Sequence, residues 1–255
     1  MYRAFNVKLD DLDFQKFSNY YNYHCLNLRC RDNLSKLINS NHKISADKIK
    51  QLITPAGDYD IFISHSHKDL ELAKGLAGYL EKYCKVSCFI DSLYWGNIDE
   101  LQEELNKMHL HKDEATGKEY FDHQSTMEVA KHANMILASA LTEMIDNCEC
   151  VFFLNTDNSV IRGTEAISKN ETYSPWIYHE VFTTSIIRSK PRLNLNEHYQ
   201  MRDSAMEQLP DISYALDLSG MTILREKDVL NWGIKAKSSN MYPLDVLYKL
   251  KPEQK

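Results

Sequence analysis

Trp176 and Glu180 stand four residues apart in the run Ser174-Pro-Trp-Ile-Tyr-His-Glu180. On an α-helix that spacing sets both side chains on one face, a turn apart. An indole beside a carboxylate makes a flat apolar wall with one anionic acceptor. The same spacing also suits a solvated glutamate whose stem packs on the indole, and spacing alone does not choose between the two. A second polar cluster is Ser64-His65-Ser66-His67-Lys68-Asp69. In one reading Ser66 caps a helix with Asp69 as its partner, and the free N–H groups of that helix start can hold a phosphate. In another, His65, His67 and Asp69 supply metal ligands. In a third, the run is a polar loop leading into a capped helix.

These residues need elements to hold them. Tyr59–Ser64 is short, apolar and β-branched, as a buried parallel strand should be. Residues 67–83 repeat apolar side chains at helical spacing through Leu70, Ala73, Leu76 and Leu80. Val86–Ile90 is a second strand, so strand, helix and strand make a βαβ unit. A helix over 125–147 leads to a third strand, Cys150–Leu154. Ser174 as cap and Pro175 at the first helical position start the helix that carries Trp176 and Glu180. Further on, Ile212–Leu218 reads as a strand, and helices are expected over 226–235 and 241–250. Strands alternating with helices predict an α/β protein with an open parallel sheet covered on both faces. Ligands of such sheets bind beyond the carboxyl ends of the strands. That rule points to the loops after Ser64, Ile90 and Leu154.

Residues 1–55 read as polar, aromatic-rich helices, with Phe14, Phe17 and Cys25 at helical spacing and Pro55-Ala-Gly57 as a boundary. The division is thus a helical N-terminal extension over 1–55 and an α/β domain over 56–255, with its core at 58–190. A polar stretch over 91–124, with a short helix expected at 98–108, forms a long insertion that carries His109, His111 and His123.

Composition narrows the function. The net charge is −6, which gives no basic stripe for nucleic acid. Eight glycines argue against glycine-rich phosphate loops. No signal peptide is evident, and no run reaches the roughly 18–20 apolar residues of a spanning helix, so the expectation is a cytoplasmic protein without membrane contact. Its six cysteines are then reduced, and none has zinc-knuckle spacing.

Several of these runs carry a family resemblance. Asp58–Asp69 looks like the opening strand and loop of TIR domains. Val86–Ile90 followed by Asp91-Ser-Leu-Tyr-Trp-Gly96 resembles their second strand and BB loop, and Cys150–Asn155 resembles their third strand. Ser174–Glu180 is similar to the W-x-x-x-E helix of the NAD-consuming members. The resemblance covers about 58–190 and implies a flavodoxin-like sheet of the TIR fold. It implies Glu180 as the catalytic carboxylate and Trp176 as a wall of the pocket. Ser64, His65 and Ser66 would line the floor, and Tyr94 and Trp95 would close over the nucleotide or meet a neighbouring subunit. NAD would be the substrate, with no cofactor and no metal. The organisation also resembles TIR proteins of bacterial anti-phage defence, such as those of Thoeris systems. That likeness implies an ADP-ribose-derived signal, cyclic or conjugated, sent to a separate effector protein, and self-association through the BB loop on activation. Two other functions stand beside it. One is a non-catalytic TIR scaffold. The other is a metallohydrolase, since the His-x-His-x-Asp run resembles the ligands of metallo-β-lactamase-fold enzymes, although Leu70 stands where that motif has a further His.

Overall fold

The computed structural model describes residues 2–9, 12–21, 36, 45–54, 57–95, 102–103, 105–106, 110–112, 119–161, 170–187 and 213–252. The chain forms two compact units. One comprises Met1–Tyr21, Tyr59–Phe89 and Ile145–Lys255, and the other Asn22–Asp58 and Ile90–Met144.

The first unit is built on a five-stranded sheet. Its strands are β1 (Arg3–Lys8), β2 (Ile61–Ser64), β3 (Cys88–Phe89), β6 (Cys150–Leu154) and β9 (Thr222–Arg225), in the spatial order β3-β2-β6-β1-β9. Every pairing in it is parallel. Ile61–Ser64 and Cys150–Leu154 are buried along their whole length, which explains their unbroken apolar reading. Helices cover both faces. On one, Phe153 packs with Ile177 and Val181 of helix α5 (Pro175–Ile186). On the other, the Phe152 ring meets Trp232 of α6 (Glu226–Lys237), and Phe5 stacks with Tyr248 of α7 (Pro243–Leu250). The α/β class with an open parallel sheet is therefore as expected.

Three local expectations need correction. The first residues are not all helical, because β1 lies inside the sheet, between β6 and β9. Six residues with Arg3 and Asn6 among them show neither alternation nor an apolar run, so the strand is invisible to periodicity. If β1 is set aside, β2, β3 and β6 follow the start of the flavodoxin-like order, and β1 fills the next place in the sheet. The second correction concerns Ile212–Leu218. Among its described residues only Tyr214–Ala215 (β8) form a strand, paired antiparallel with β7 (Glu171–Thr172), outside the main sheet. The fifth strand is Thr222–Arg225 instead. It pairs on one side only and alternates in burial, so its four residues look like loop. The third refines Leu12–Tyr20, which are helical as expected but wound as a 3-10 helix.

This 3-10 helix seats against α2 (Leu70–Tyr79) through glycines. A Cβ on Gly75 would lie 2.2 Å from the Phe14 carbonyl oxygen, and one on Gly78 2.0 Å from that of Phe17. Only hydrogen fits at either place. Phe14 and Phe17 then meet the Tyr79 ring edge-on. The helical residues after Asp69 run as α2 and a π-turn, Leu80–Cys84, ended by Lys85 in the left-handed conformation.

The second unit contains α1 (Ala46–Ile53), α3 (Asp91–Trp95), an antiparallel pair β4 (Leu110–Lys112) and β5 (Glu119–Phe121), and most of α4 (His123–Asn147). Lys50 of α1 pairs with Glu143 of α4 at 2.5 Å. The stretch after Ile90 opens as a helix, and residues 102, 103, 105 and 106 are helical within the short helix expected there.

Candidate functional site

The carboxyl ends of β2 and β6 gather the polar residues of the first unit. Ser64 is the last residue of β2. Its hydroxyl donates to Oε2 of Glu180 on α5. Both groups are buried, Ser64 at 1 % exposure and Glu180 at 3 %. A buried carboxylate needs donors of this kind, since leaving it dry and unpaired would be costly. The helix that brings it there starts as its sequence demands. Ser174 accepts from the Ile177 amide at 3.2 Å, and Pro175 follows the cap. Thr172 holds the entry by accepting from the Ser174 amide at 3.1 Å. Four residues before Glu180 and on its face, Trp176 is half-buried. Ser64 and Glu180 thus meet at this edge of the sheet.

The loop after Ser64 is built differently from its reading as a helix cap. Ser66 sits at the cap position of the 3-10 turn His67–Asp69, yet its side chain makes no capping bond. Asp69 turns to the other loop instead. Its Oδ2 accepts from the Thr156 hydroxyl at 2.5 Å and its Oδ1 from the Asn158 amide at 2.7 Å. Asp69 therefore ties the loop after β2 to the loop after β6. His65 is buried, with Nδ1 3.4 Å from the Ile63 carbonyl oxygen. Ser66 is half-buried and His67 exposed, and the two imidazole centroids are 6.5 Å apart. Among the described residues no group of three His, Cys, Asp or Glu side chains is placed to hold a metal ion.

The loop after β6 was expected at the ligand end of the sheet, but none of its residues was singled out. Ser159 donates to the Leu154 carbonyl at 2.7 Å and accepts from the Thr156 amide at 2.9 Å, which closes the turn and holds Thr156 and Asn158 toward Asp69. The available signal was Asn155-Thr-Asp-Asn-Ser159 directly after an apolar strand, the composition of a self-bonded turn. Beside Glu180, His179 has its imidazole pKa lowered by desolvation, so it favours the neutral form.

Tyr94 and Trp95 end α3, in the second unit, and their side chains lie outside the described residues. His109 also lies outside them, while His111 falls in β4 and His123 begins α4. No described helix is long and apolar enough to cross a membrane.

Fold and site together define an α/β protein with a buried carboxylate–hydroxyl pair at the carboxyl edge of a parallel sheet. No family model matches the sequence, and no curated protein or solved structure matches it.

Proposed function

We propose that this protein is a TIR-type enzyme that cleaves the bond between nicotinamide and ribose in NAD. The observation that carries the reading is the contact between Ser64 and Glu180, which joins two of the resembling motifs at the edge where parallel sheets bind ligands. A carboxylate there suits an oxocarbenium-like transition state. The C1′–N bond breaks with its electron pair passing to the pyridinium nitrogen, and neutral nicotinamide leaves. Glu180 accepts a ribose hydroxyl and offsets the positive charge left on the sugar. Ser64 orients the carboxylate, and Trp176 excludes water from one side. His65 and Ser66 line the floor.

The sugar cation then takes a nucleophile. Water gives ADP-ribose and a proton, an internal nucleophile gives a cyclic isomer, and a bound one gives a conjugate. In our reading the product is a cytoplasmic signal of anti-phage immunity that reaches a separate effector protein.

The test is nicotinamide release from NAD by the full chain, alone and in phage-infected cells. Glu180→Gln and Glu180→Ala are run beside it. Release that needs Glu180 supports the reading. No release under any of these conditions, or release that persists in both variants, defeats it.

A further inference from the structure

Asparagine is uncommon inside strands, yet Asn6 sits within β1 with strands on either side of it. It is 6 % exposed, and its Oδ1 is buried with no hydrogen-bond partner in the structure. A lone buried acceptor is a standing cost to folding, and replacing it with an apolar group of similar shape would remove that cost. Such a residue calls for an explanation.

The sheet register shows which way it faces. Ser64 pairs with Phe153, Phe153 pairs with Asn6, and Asn6 pairs with Ile223. Residues paired across parallel strands point to the same face. Phe153 packs on Ile177 and Val181 of α5, so this rung faces the helix that carries Glu180. Ala4, two residues earlier on the same side of β1, packs on that same cluster. Asn6 lies beyond it toward the carboxyl end of the strand. Ser64 and Asn6 are thus two polar positions on one rung, two strand spacings or about 10 Å apart. One of them reaches Glu180. The other has an unused acceptor.

We propose that Asn6 is a further substrate-binding residue of this site, its side-chain oxygen accepting a hydrogen bond from the carboxamide of the nicotinamide ring. The inference rests on the reading of Glu180 as the carboxylate that holds the ribose. A nicotinamide riboside spans such a distance, with a hydroxyl at one end and an amide N–H donor at the other. The matching carboxylate, nicotinate, has no N–H to offer and brings a negative charge against the Asn6 oxygen. Asn6 therefore selects the amide over the acid at the leaving group.

The experiment compares cleavage of NAD with that of nicotinic acid adenine dinucleotide by the wild-type chain, Asn6→Ala and Asn6→Leu. Wild type should prefer NAD. Both variants should lose about tenfold in kcat/KM for NAD, the size of one hydrogen bond, and change little for the acid. Asn6→Leu, branched at the same carbon and free of the lone acceptor, should still fold, with a cooperative melting transition and a far-ultraviolet spectrum like wild type. A preference for NAD that survives in folded Asn6→Leu overturns the proposal and leaves Asn6 as a group satisfied by a buried water. A lower melting point with the preference intact overturns it equally. A wild-type chain that cleaves neither dinucleotide, infected cells included, overturns the Glu180 reading and this one together. Cleavage that needs Glu180 but ignores Asn6 overturns only this one.

Discussion

Acids stand at both the amino end of the sheet and its carboxyl end, and they are used differently. At the amino end Asp60, just before β2, accepts from the Ser87 amide at 2.7 Å and the Ser87 hydroxyl at 2.8 Å. The Tyr242 hydroxyl adds a third bond through Oδ1. Those bonds fasten the starts of β2 and β3 to the start of α7. Around them Cys88, Cys148 and Cys150 are buried thiols, pushed upward in pKa chiefly by desolvation and so held protonated. At the carboxyl end, Asp69 binds loop to loop in a similar way. Glu180 does something else. It enters from a helix, is deeply buried, and meets the hydroxyl on the last residue of a strand. Acids that fasten segments sit where the chain must be closed. The acid proposed for chemistry sits at the carboxyl edge, where parallel sheets bind their ligands.

Exchanging the acids one at a time breaks this contrast most directly. Glu180→Gln should lower nicotinamide release by about a hundredfold or more, as the loss of a charge-stabilising group does. Its far-ultraviolet spectrum should be unchanged. Asp60→Ala should do the reverse and cost roughly 1–3 kcal/mol in urea unfolding, because donors at Ser87 lose their acceptor. Its kcat, measured well below the melting point, should match wild type. Comparable activity losses in the two variants would erase the distinction.

Gly78→Ala tests the frame that both acids share. The added methyl would stand 2.0 Å from a backbone oxygen, so the 3-10 helix must move. A loss of roughly 1–3 kcal/mol is expected, the usual cost of overpacking. An unchanged melting curve would mean that residues 12–20 do not seat on α2.

This packing marks the limit of what the sequence made legible. Ile61–Ser64, Cys150–Leu154 and the capped start of α5 announce themselves, because full burial demands apolar runs and a helix start demands Ser-Pro. Local rules did not bring Glu180 to Ser64; only the resemblance of their two runs to TIR motifs implied that they share an edge of the sheet. β1 and β9 were not legible. Their identity as strands comes from neighbours more than 140 residues away for β1 and more than 210 for β9, as the pairings Arg3–Cys150 and Phe5–Thr222 show. The link from Asp69 to Thr156 was hidden for the same reason, since local rules suggested a helix cap.

Asp69→Asn sharpens the comparison on the carboxyl side alone. The substitution keeps the size but gives up the charge that accepts from both Thr156 and Asn158. If Asp69 only fastens the loops, release should fall by about tenfold or less through KM, with kcat nearly kept, as for lost positioning. A kcat loss equal to that of Glu180→Gln would move Asp69 into the chemistry.

The smallest effect concerns His179, which shares α5 with Glu180. Its folded pKa is lowered from 6.5 by desolvation. The unfolded chain therefore binds a proton at a higher pH than the folded one does. The stability linked to this group is complete above about pH 6.5 and is lost as pH falls from there toward the lowered folded value. His179→Gln removes the titrating group and keeps a polar side chain of similar reach. Between about pH 7 and pH 5 the variant should lose less stability than wild type in urea unfolding, a difference within the roughly 1 kcal/mol scale of a single perturbed histidine. Parallel curves would mean that the imidazole titrates in the fold as it does in the unfolded chain. Below about pH 6.5 a cation would then stand next to Glu180 in the chain, and the contrast between the two ends of the sheet would have to include that charge.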